Sequence, residues 1–356
     1  MSRSIRQSRT TTLVAIAAVA AALVVTATAP GCARDPVEPE ADVTLVLAGY
    51  SAARDVMDRE ILPAFSADVR ARTGKRVRVE ASYLASGAQT RAVLGGFAAD
   101  VVLLAMAPDV DKLVKASLVE PTWSDGPSRG FVASTLVAFA VRTGNPKSIV
   151  SWPDLARPGV AVLMPNPKTS GGAMWNVSAL WGAALRGDAG FPPGDHEAAH
   201  DYLRDVLRNV VVLDKGGRES VITFEKGIGD VAITYESEIV AGHLAGRKYD
   251  EVLPSSTLLI EIPAAVVAAN ATKHDVTREA EAFVTFLRSD TAQRAFARYG
   301  FRSPNGERIP QLASSASATE PVLFRVESLG GWKSIVPTLF GPDGSFTKTW
   351  ERVYAE

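Results

Sequence analysis

Three groups of small residues, each between a predicted strand and a predicted helix, carry the chemistry that this sequence suggests. They are Ser86-Gly87, Ser170-Gly171-Gly172 and Gly216-Gly217. The first turn of a helix has backbone N–H groups without intrahelical acceptors, and glycine lets a ligand approach them closely. Such helix starts bind anions. We therefore expect the three to converge on one oxyanion, and three unrelated loops are the alternative.

The middle group lies in the most informative segment of the chain, residues 160 to 185. Val160 to Met164 is an apolar run that predicts a buried strand, and the prolines that follow it cannot continue a β-ladder. Ser170 is a favourable N-cap residue for the apolar helix that comes next. A strand, a glycine turn and a helix start together predict an anion-binding site.

Strands and helices alternate along the rest of the chain. Apolar runs predict strands at residues 43–47, 77–79, 101–104, 135–141, 210–213 and 231–234, with amphipathic helices between most of them. This alternation predicts α/β sheets whose ligand crevices lie at the carboxyl ends of the strands.

A second motif points to different chemistry. Residues 196–200 read His-Glu-Ala-Ala-His, which on a helix could hold zinc with the glutamate as a general base, and Glu219 could be a third ligand. However, Asp195 is a plausible N-cap, and the apolar stripe of the following helix places His196 at the solvent end. A zinc hydrolase is therefore the alternative from a different functional class. The sequence contains no phosphate-binding loop, nucleophile elbow or dinucleotide fingerprint.

The N-terminus has the layout of an export signal, predicted to span residues 1–31. Three arginines precede the apolar run Leu13 to Val25, which is too short to span a bilayer comfortably. Small residues then precede Cys32, and this pattern resembles a bacterial lipoprotein signal in which Cys32 is acylated, although Pro30 is unusual there. An ordinary cleaved signal is the alternative. Residues 32–42 would then form a polar tether.

Composition restricts the remaining possibilities. The chain has 356 residues and one cysteine, so it forms no internal disulfide, and its length allows about two domains. There are 38 basic and 39 acidic residues, and removal of the basic signal makes the remainder more acidic. This balance argues against a nucleic-acid partner.

Several motifs resemble one family along nearly the whole of the exported chain. They are Gly49-Tyr50 with Arg54, residues 95–105 (GGFAADVVLLA), 142–146 (RTGNP), 165–175 (PNPKTSGGAMW), Trp181-Gly182, 210–218 (VVVLDKGGR), 227–231 (GIGDV) and 330–332 (GGW). In these motifs the chain resembles the periplasmic sulfate-binding proteins of sulfate/thiosulfate ABC importers.

The resemblance implies a periplasmic binding protein of type II, with two Rossmann-like α/β lobes joined by crossover hinge strands. Residues 43–132 and 258–356 would form the first lobe, and residues 133–257 the second. It also implies a monomer outside the cytoplasmic membrane that captures sulfate by lobe closure and delivers it to ABC permease subunits. Such a protein is not an enzyme and carries no metal or cofactor.

The resemblance also implies a set of sulfate-binding residues. They are Ser86, Ser170, Gly171, Gly172, the backbone of Gly217 and the side chain of Tyr235, with Arg54 and Arg218 as supports. Three positions depart from the family pattern: it usually has alanine at Gly217, tryptophan at Tyr235 and aspartate at Ser51. A tyrosine hydroxyl can also donate a hydrogen bond, but with different reach and angle.

The expected ligand follows from a site made of donors. Sulfate is fully ionised near neutral pH, so hydrogen-bond donors suit it, whereas hydrogen phosphate would need an acceptor. Glu236 adjoins Tyr235, but on a strand its side chain should point to the opposite face. We therefore expect phosphate to be rejected. Thiosulfate, selenate and molybdate are possible competitors, and a relative that binds another tetrahedral oxyanion is an alternative.

Overall fold

A computed structural model describes residues 41–308 and 320–354 of the chain. The strands are β1 (Val43–Tyr50), β2 (Val77–Leu84), β3 (Val101–Leu103), β4 (Phe131–Val141), β5 (Val162–Pro165), β6 (Val210–Asp214), β7 (Val231–Tyr235), β8 (Asp250–Val252), β9 (Ser256–Val266) and β10 (Val322–Phe324). The predicted signal and Cys32 lie outside the described residues, as does the predicted tether except for its last two residues.

Helices connect most of the strands. The α-helices are α1 (Arg54–Val56), α2 (Leu62–Thr73), α3 (Ser86–Leu94), α4 (Ala107–Lys115), α5 (Gly171–Arg186), α6 (His196–Asn209), α7 (Gly217–Glu225), α8 (Glu236–Leu244), α9 (Ala268–Lys273), α10 (Thr277–Phe286), α11 (Asp290–Arg298), α12 (Gly331–Ile335) and α13 (Ser345–Val353). Short 3-10 or π-helical turns extend several of them, so that α1 and α2 form one helical stretch. No helix among the described residues is long and apolar enough to span a membrane.

Two long strands connect two groups of parallel strands. The order is β2-β1-β3-β9-β4-β7-β5-β6, with β10 beside β9 and β8 beside β4. β1 pairs in parallel with β2 and β3, and β5 pairs in parallel with β6 and β7. Between the groups, β9 is antiparallel to β3 and β4, and β4 is antiparallel to β7. The predicted α/β fold with crossover strands is confirmed, whereas the exact lobe boundaries stay a prediction.

Aromatic side chains fill the core on both sides of the long strands. Phe65 packs against Phe283, with ring centroids 4.8 Å apart, and Trp152 meets Phe139 edge to face at 5.0 Å. Near the end of the chain α13 packs on α6, and Trp332 lies edge to face on Trp175 at 4.6 Å. The helices that start after β2, β5 and β6 are thus held on a rigid, buried framework.

Candidate functional site

The Ser170 group begins α5 as predicted. β5 ends at Pro165, and Ser170 is the N-cap residue, whose Oγ accepts a hydrogen bond from the backbone N–H of Ala173 at 3.4 Å. Gly171 and Gly172 are buried in the first turn of the helix. Their N–H groups have no acceptor within the helix, so this turn can donate to an anion.

Tyr235 meets this turn from the end of β7. A Cβ placed on Gly172 would lie 2.3 Å from the Tyr235 hydroxyl oxygen and 3.2 Å from Ser170 Oγ. Tyr235 is 4% exposed, and its hydroxyl has no hydrogen-bond partner in the described part of the chain. Burial raises the pKa of Tyr235, so the hydroxyl keeps its proton. A buried donor that no other described residue engages therefore lies against the start of α5.

Ser86 is the first residue of α3, and its hydroxyl is already engaged. Ser86 Oγ donates to Asp109 Oδ2 at 2.6 Å and accepts from the backbone N–H of Ala105 at 3.0 Å. The one hydrogen that the Ser86 hydroxyl can donate is therefore already used in a hydrogen bond to Asp109. What remains available is the backbone N–H of Ser86, which has no intrahelical acceptor.

Close contacts bring the three helix starts together. The Cβ position of Gly87 lies 3.3 Å from the carbonyl oxygen of Thr169, just before α5, and that of Gly216 lies 3.2 Å from the Cβ of Ala85, just before α3. The Cβ position of Gly171 lies 3.1 Å from Asp109 Oδ2. The predicted convergence of the three helix starts is present in the structure, although which of their groups bind a ligand stays a prediction.

Gly217 opens α7 in more space than the other glycines of the three helix starts have. Gly216 is the N-cap residue, and no atom of the described residues lies within 4 Å of the Cβ position of Gly217. An alanine at this position would keep the same backbone N–H without a steric clash. The family's usual alanine here and the glycine of this chain are therefore equivalent as donors.

The two predicted supporting arginines have different surroundings. Arg218 donates to Asp55 in α1 and to Glu238 in α8, the latter from Nη1 at 3.1 Å. Arg54 is exposed, and its guanidinium carbon lies 5.1 Å from the ring centroid of Tyr83. Arg218 is thus part of an ion network at the start of α7, while Arg54 stacks on a neighbouring ring.

Two buried groups near Tyr235 were missed in the sequence. Tyr50 is 3% exposed at the end of β1, and its hydroxyl has no partner among the described residues. Burial, together with Tyr235 and Glu238, raises the pKa of Tyr50. Glu238 is fully buried, and burial raises its pKa to about 7. The sequence signal for Glu238 is its spacing from Tyr235. Residues three apart lie on the same face of a helix, so a helix that starts at this point places Glu238 on the same side as Tyr235.

The prediction that Glu236 lies on a strand is wrong. β7 ends at Tyr235, and Glu236 is the first residue of α8. Its carboxylate accepts from Arg302 Nε at 2.7 Å and from Arg308 Nη2 at 3.1 Å. The expectation that Glu236 does not offer its carboxylate to the anion rests instead on this buried ion pair.

The His-Glu-Ala-Ala-His motif forms the first turns of α6, and its two histidines pack on a neighbouring helix. Asp195 is the N-cap residue as predicted, accepting from Ala198 N–H at 2.9 Å, and His196 is exposed as expected. The rings of His196 and His200 pack on Trp181, with centroids 5.8 and 5.0 Å away, and His200 Nε2 lies 3.3 Å from Ser345 Oγ. Within residues 41–308 and 320–354, no three His, Cys, Asp or Glu side chains are grouped to hold a metal.

Comparison with known proteins places this geometry in context. The family model described as bacterial extracellular solute-binding protein matches residues 45–302. A sulfate-binding protein of Synechococcus elongatus is 38% identical over 313 residues, covering 87% of each chain. A thiosulfate-binding protein of Escherichia coli is 33% identical over 322 residues, covering 86% of this chain and 94% of that protein.

Solved structures agree with these sequence relatives. The sulfate-binding protein SubI from Mycobacterium tuberculosis superposes with a TM-score of 0.74 at 35% identity, covering 84% of this chain and 99% of that chain. A periplasmic thiamin binding protein shares the fold at 17% identity, with a TM-score of 0.61 and 88% of this chain covered.

Proposed function

The chain belongs to the family of bacterial extracellular solute-binding proteins, and from that premise we propose that it captures sulfate outside the cytoplasmic membrane and delivers it to an ABC import permease. Its relatives are named as sulfate-binding and thiosulfate-binding proteins, so thiosulfate is the second candidate ligand. Other tetrahedral oxyanions such as molybdate are weaker candidates. The protein binds and releases its ligand and performs no reaction on it.

The observation that carries this proposal is the convergence of the three helix starts beside the Tyr235 hydroxyl, which has no hydrogen-bond partner among the residues that the structure describes. In the proposed site the backbone N–H groups of Ser86, Gly171, Gly172 and Gly217 donate to the anion together with the Ser170 and Tyr235 side chains. Each helix start stabilises an anion by about 0.3–1 kcal/mol at a surface and up to about 2 when partly buried. The combined stabilisation of one dianion by three helix starts is therefore comparable with that from a strong ion pair.

The arginines support the site from outside it. Arg218 is occupied by Asp55 and Glu238, and Arg54 stacks on Tyr83. Neither guanidinium is proposed as a direct ligand of the anion. Hydrogen-bond donors that are neutral then hold the sulfate, and lobe closure is favoured because both lobes supply such donors.

Titration calorimetry in sulfate-free buffer tests the ligand. We expect tight binding of sulfate, weaker or comparable binding of thiosulfate, and no heat with phosphate. Heat of binding from molybdate alone would mean that Tyr235 marks a change of ligand. No heat of binding with any of the oxyanions would refute the proposal.

A double variant and a single control variant test the site. Ser170→Ala combined with Tyr235→Phe should weaken sulfate binding at least tenfold, because hydrogen bonds to charged groups contribute about 1.5–3 kcal/mol each. Tyr249→Phe is the matched control, since Tyr249 is also buried and its hydroxyl also has no partner within the described residues, but it lies against Gly242. Unchanged affinity in the double variant would place the site elsewhere.

The remaining proposals concern attachment and assembly. We propose that Cys32 is acylated, that the exported protein is a monomer, and that residues 43–132 with 258–356 and residues 133–257 form the two lobes. Replacement of Cys32 by serine should move the protein from the membrane fraction to the soluble exported fraction. An unchanged distribution would favour an ordinary cleaved signal.

A further inference from the structure

Glu238 is a buried carboxylate beside the proposed site that sulfate capture does not otherwise use. Its side chain is 0% exposed, and its Oε2 accepts from Arg218 Nη1 at 3.1 Å. Its Oε1 has no hydrogen-bond partner in the described ranges. Arg218, which pairs with Glu238, is shared with Asp55. One of the two carboxylate oxygens is therefore removed from water without gaining a hydrogen bond, and this costs free energy while the carboxylate is charged.

The charges around Glu238 are unfavourable to its ionised form. Three elements besides α8 contribute: Asp55 comes from α1, Arg218 and Glu219 from α7, and Tyr50 from β1. Tyr235 and Tyr249 also face it and are neutral near pH 7. One guanidinium thus faces three carboxylates. Burial, with Asp55 and Glu219 adding to it, outweighs Arg218 and raises the pKa of Glu238 to about 7.

Glu238 is connected to the anion site on two sides. Tyr235, whose hydroxyl lies against Gly172, is three residues earlier, at the N-cap of α8. Arg218 directly follows Gly217, whose N–H is a proposed donor. The hydroxyls of Tyr50 and Tyr235 and the Oε1 of Glu238 all lack a hydrogen-bond partner among the described residues, and Glu238 helps to raise the pKa of both tyrosines, so the three groups belong to one buried polar region.

From this arrangement we infer that capture of a dianion is accompanied by uptake of one proton on Glu238, which makes Glu238 a determinant of affinity that acts through its charge. The inference rests on the proposed function. It assigns Glu238 no direct contact with sulfate.

The physical reason is electrostatic linkage. A dianion placed beside Tyr235 and Gly217 adds two negative charges next to a carboxylate that is already poorly compensated, so the protonated form of Glu238 binds it better. Any ligand that prefers one protonation state shifts the equilibrium toward that state. The proton comes from solvent and is held on the carboxylate, while sulfate itself stays a dianion across the accessible pH range.

The linkage predicts a definite pH dependence. Below pH 6 Glu238 is largely protonated in the free protein, so binding takes up almost no proton and the affinity is constant. At pH 8 most of the free protein has an ionised Glu238, so binding should take up close to one proton. Above pH 7 the affinity should fall by up to about tenfold per pH unit.

The experiment is calorimetric titration of the whole exported protein with sodium sulfate at pH 5.5, 7 and 8. Each titration is repeated in buffers that differ in ionisation enthalpy, so that the slope of the observed enthalpy gives the number of protons taken up. Glu238→Gln should bind sulfate with no proton uptake and with constant affinity between pH 6 and 8.5.

Glu251→Gln is the matched control. Burial also raises the pKa of Glu251 to about 7, but its charged neighbours are Glu236, Arg302 and Arg308. This variant should keep the wild-type proton uptake. A role of Glu238 in stability alone would leave the proton count of binding unchanged, so the count separates the two explanations.

The outcomes are distinct. Tight sulfate binding by the wild type at pH 8 without proton uptake overturns the inference and leaves the proposed function standing, and this measurement needs no variant that folds. Uptake that persists in Glu238→Gln assigns the proton to another group and also overturns it. No sulfate binding at any pH overturns the proposed function and the inference together.

Discussion

The contrast between two glycines gives the sharpest test of the proposed site. We expect Gly172→Ala to weaken sulfate binding strongly and Gly217→Ala to leave it nearly unchanged. Both residues lie in the first turn of a helix and neither has a left-handed backbone conformation. The substitution therefore adds the same methyl group to the same kind of backbone, and only the surroundings differ.

The magnitude follows from the contacts of the added Cβ atom. At Gly172 it would lie 2.3 Å from the Tyr235 hydroxyl oxygen, well inside the ordinary separation of about 3.5 Å between non-bonded atoms. The Tyr235 side chain must therefore move by about 1 Å, which removes its hydrogen bond to the anion. Such a bond to a charged group contributes about 1.5–3 kcal/mol, so the affinity should fall by about 10- to 100-fold. At Gly217 the part of the chain that the structure describes places no atom within 4 Å of the added Cβ atom.

Calorimetric titration with sulfate measures both affinities, and thermal unfolding without ligand shows whether each variant keeps its fold. Overpacking at Gly172 can cost about 1–3 kcal/mol of stability, so the titration must be made well below the midpoint of unfolding. Equal affinities for the two folded variants would refute the assignment of Gly172 and Tyr235 to the binding site.

Three further predictions address neighbouring features. Ser86→Ala should lower the free energy of unfolding by about 1–3 kcal/mol, because it removes the hydrogen-bond partner of Asp109 Oδ2 and of the Ala105 N–H. Sulfate affinity should stay within about threefold, and urea unfolding and calorimetric titration measure the two effects. Glu251→Gln should remove part of the loss of stability between pH 5 and 8. A carboxyl whose pKa is raised in the folded state stabilises the fold below its unfolded pKa, and this contribution is lost as the pH rises through about 7. Urea unfolding at several pH values measures the difference. Alanine at both His196 and His200 should leave sulfate affinity unchanged and zinc content, measured by atomic absorption, no different from the wild type; stoichiometric zinc in the wild type alone would revive the hydrolase alternative.

Local patterns were sufficient to locate the helix starts of the site. The prolines after Met164, the N-cap preference of Ser170 and the glycines at 171 and 172 are features of neighbouring residues, and the helix begins where they indicate. Asp195 was identified as an N-cap for the same reason. Capping depends on side chains within three residues, so the sequence contains the whole of the relevant information.

Contacts between distant segments could not be found in this way. The pairing of Glu236 with Arg302 joins residues that no local pattern connects, and β7 ends at Tyr235, so that Glu236 belongs to a helix and not to a strand. The engagement of the Ser86 hydroxyl by Asp109 likewise depends on how α3 packs on α4. Residue types therefore suggested which groups could donate, while tertiary packing determines which of them are still free to do so.

The crossover strands have a consequence for how the chain reaches its native state. β3 is flanked by β1 and by β9, so that Val101 is paired with Val266, and β4 depends on β9 along half its length. Contacts between residues so far apart in sequence close slowly, because the entropy of a long loop must be lost first. An emerging chain that ends before Ser256 would hold open strand edges at both β3 and β4. The sheet is therefore complete only after synthesis has passed β9, and until then the exposed edges of β3 and β4 can pair with another unfinished chain.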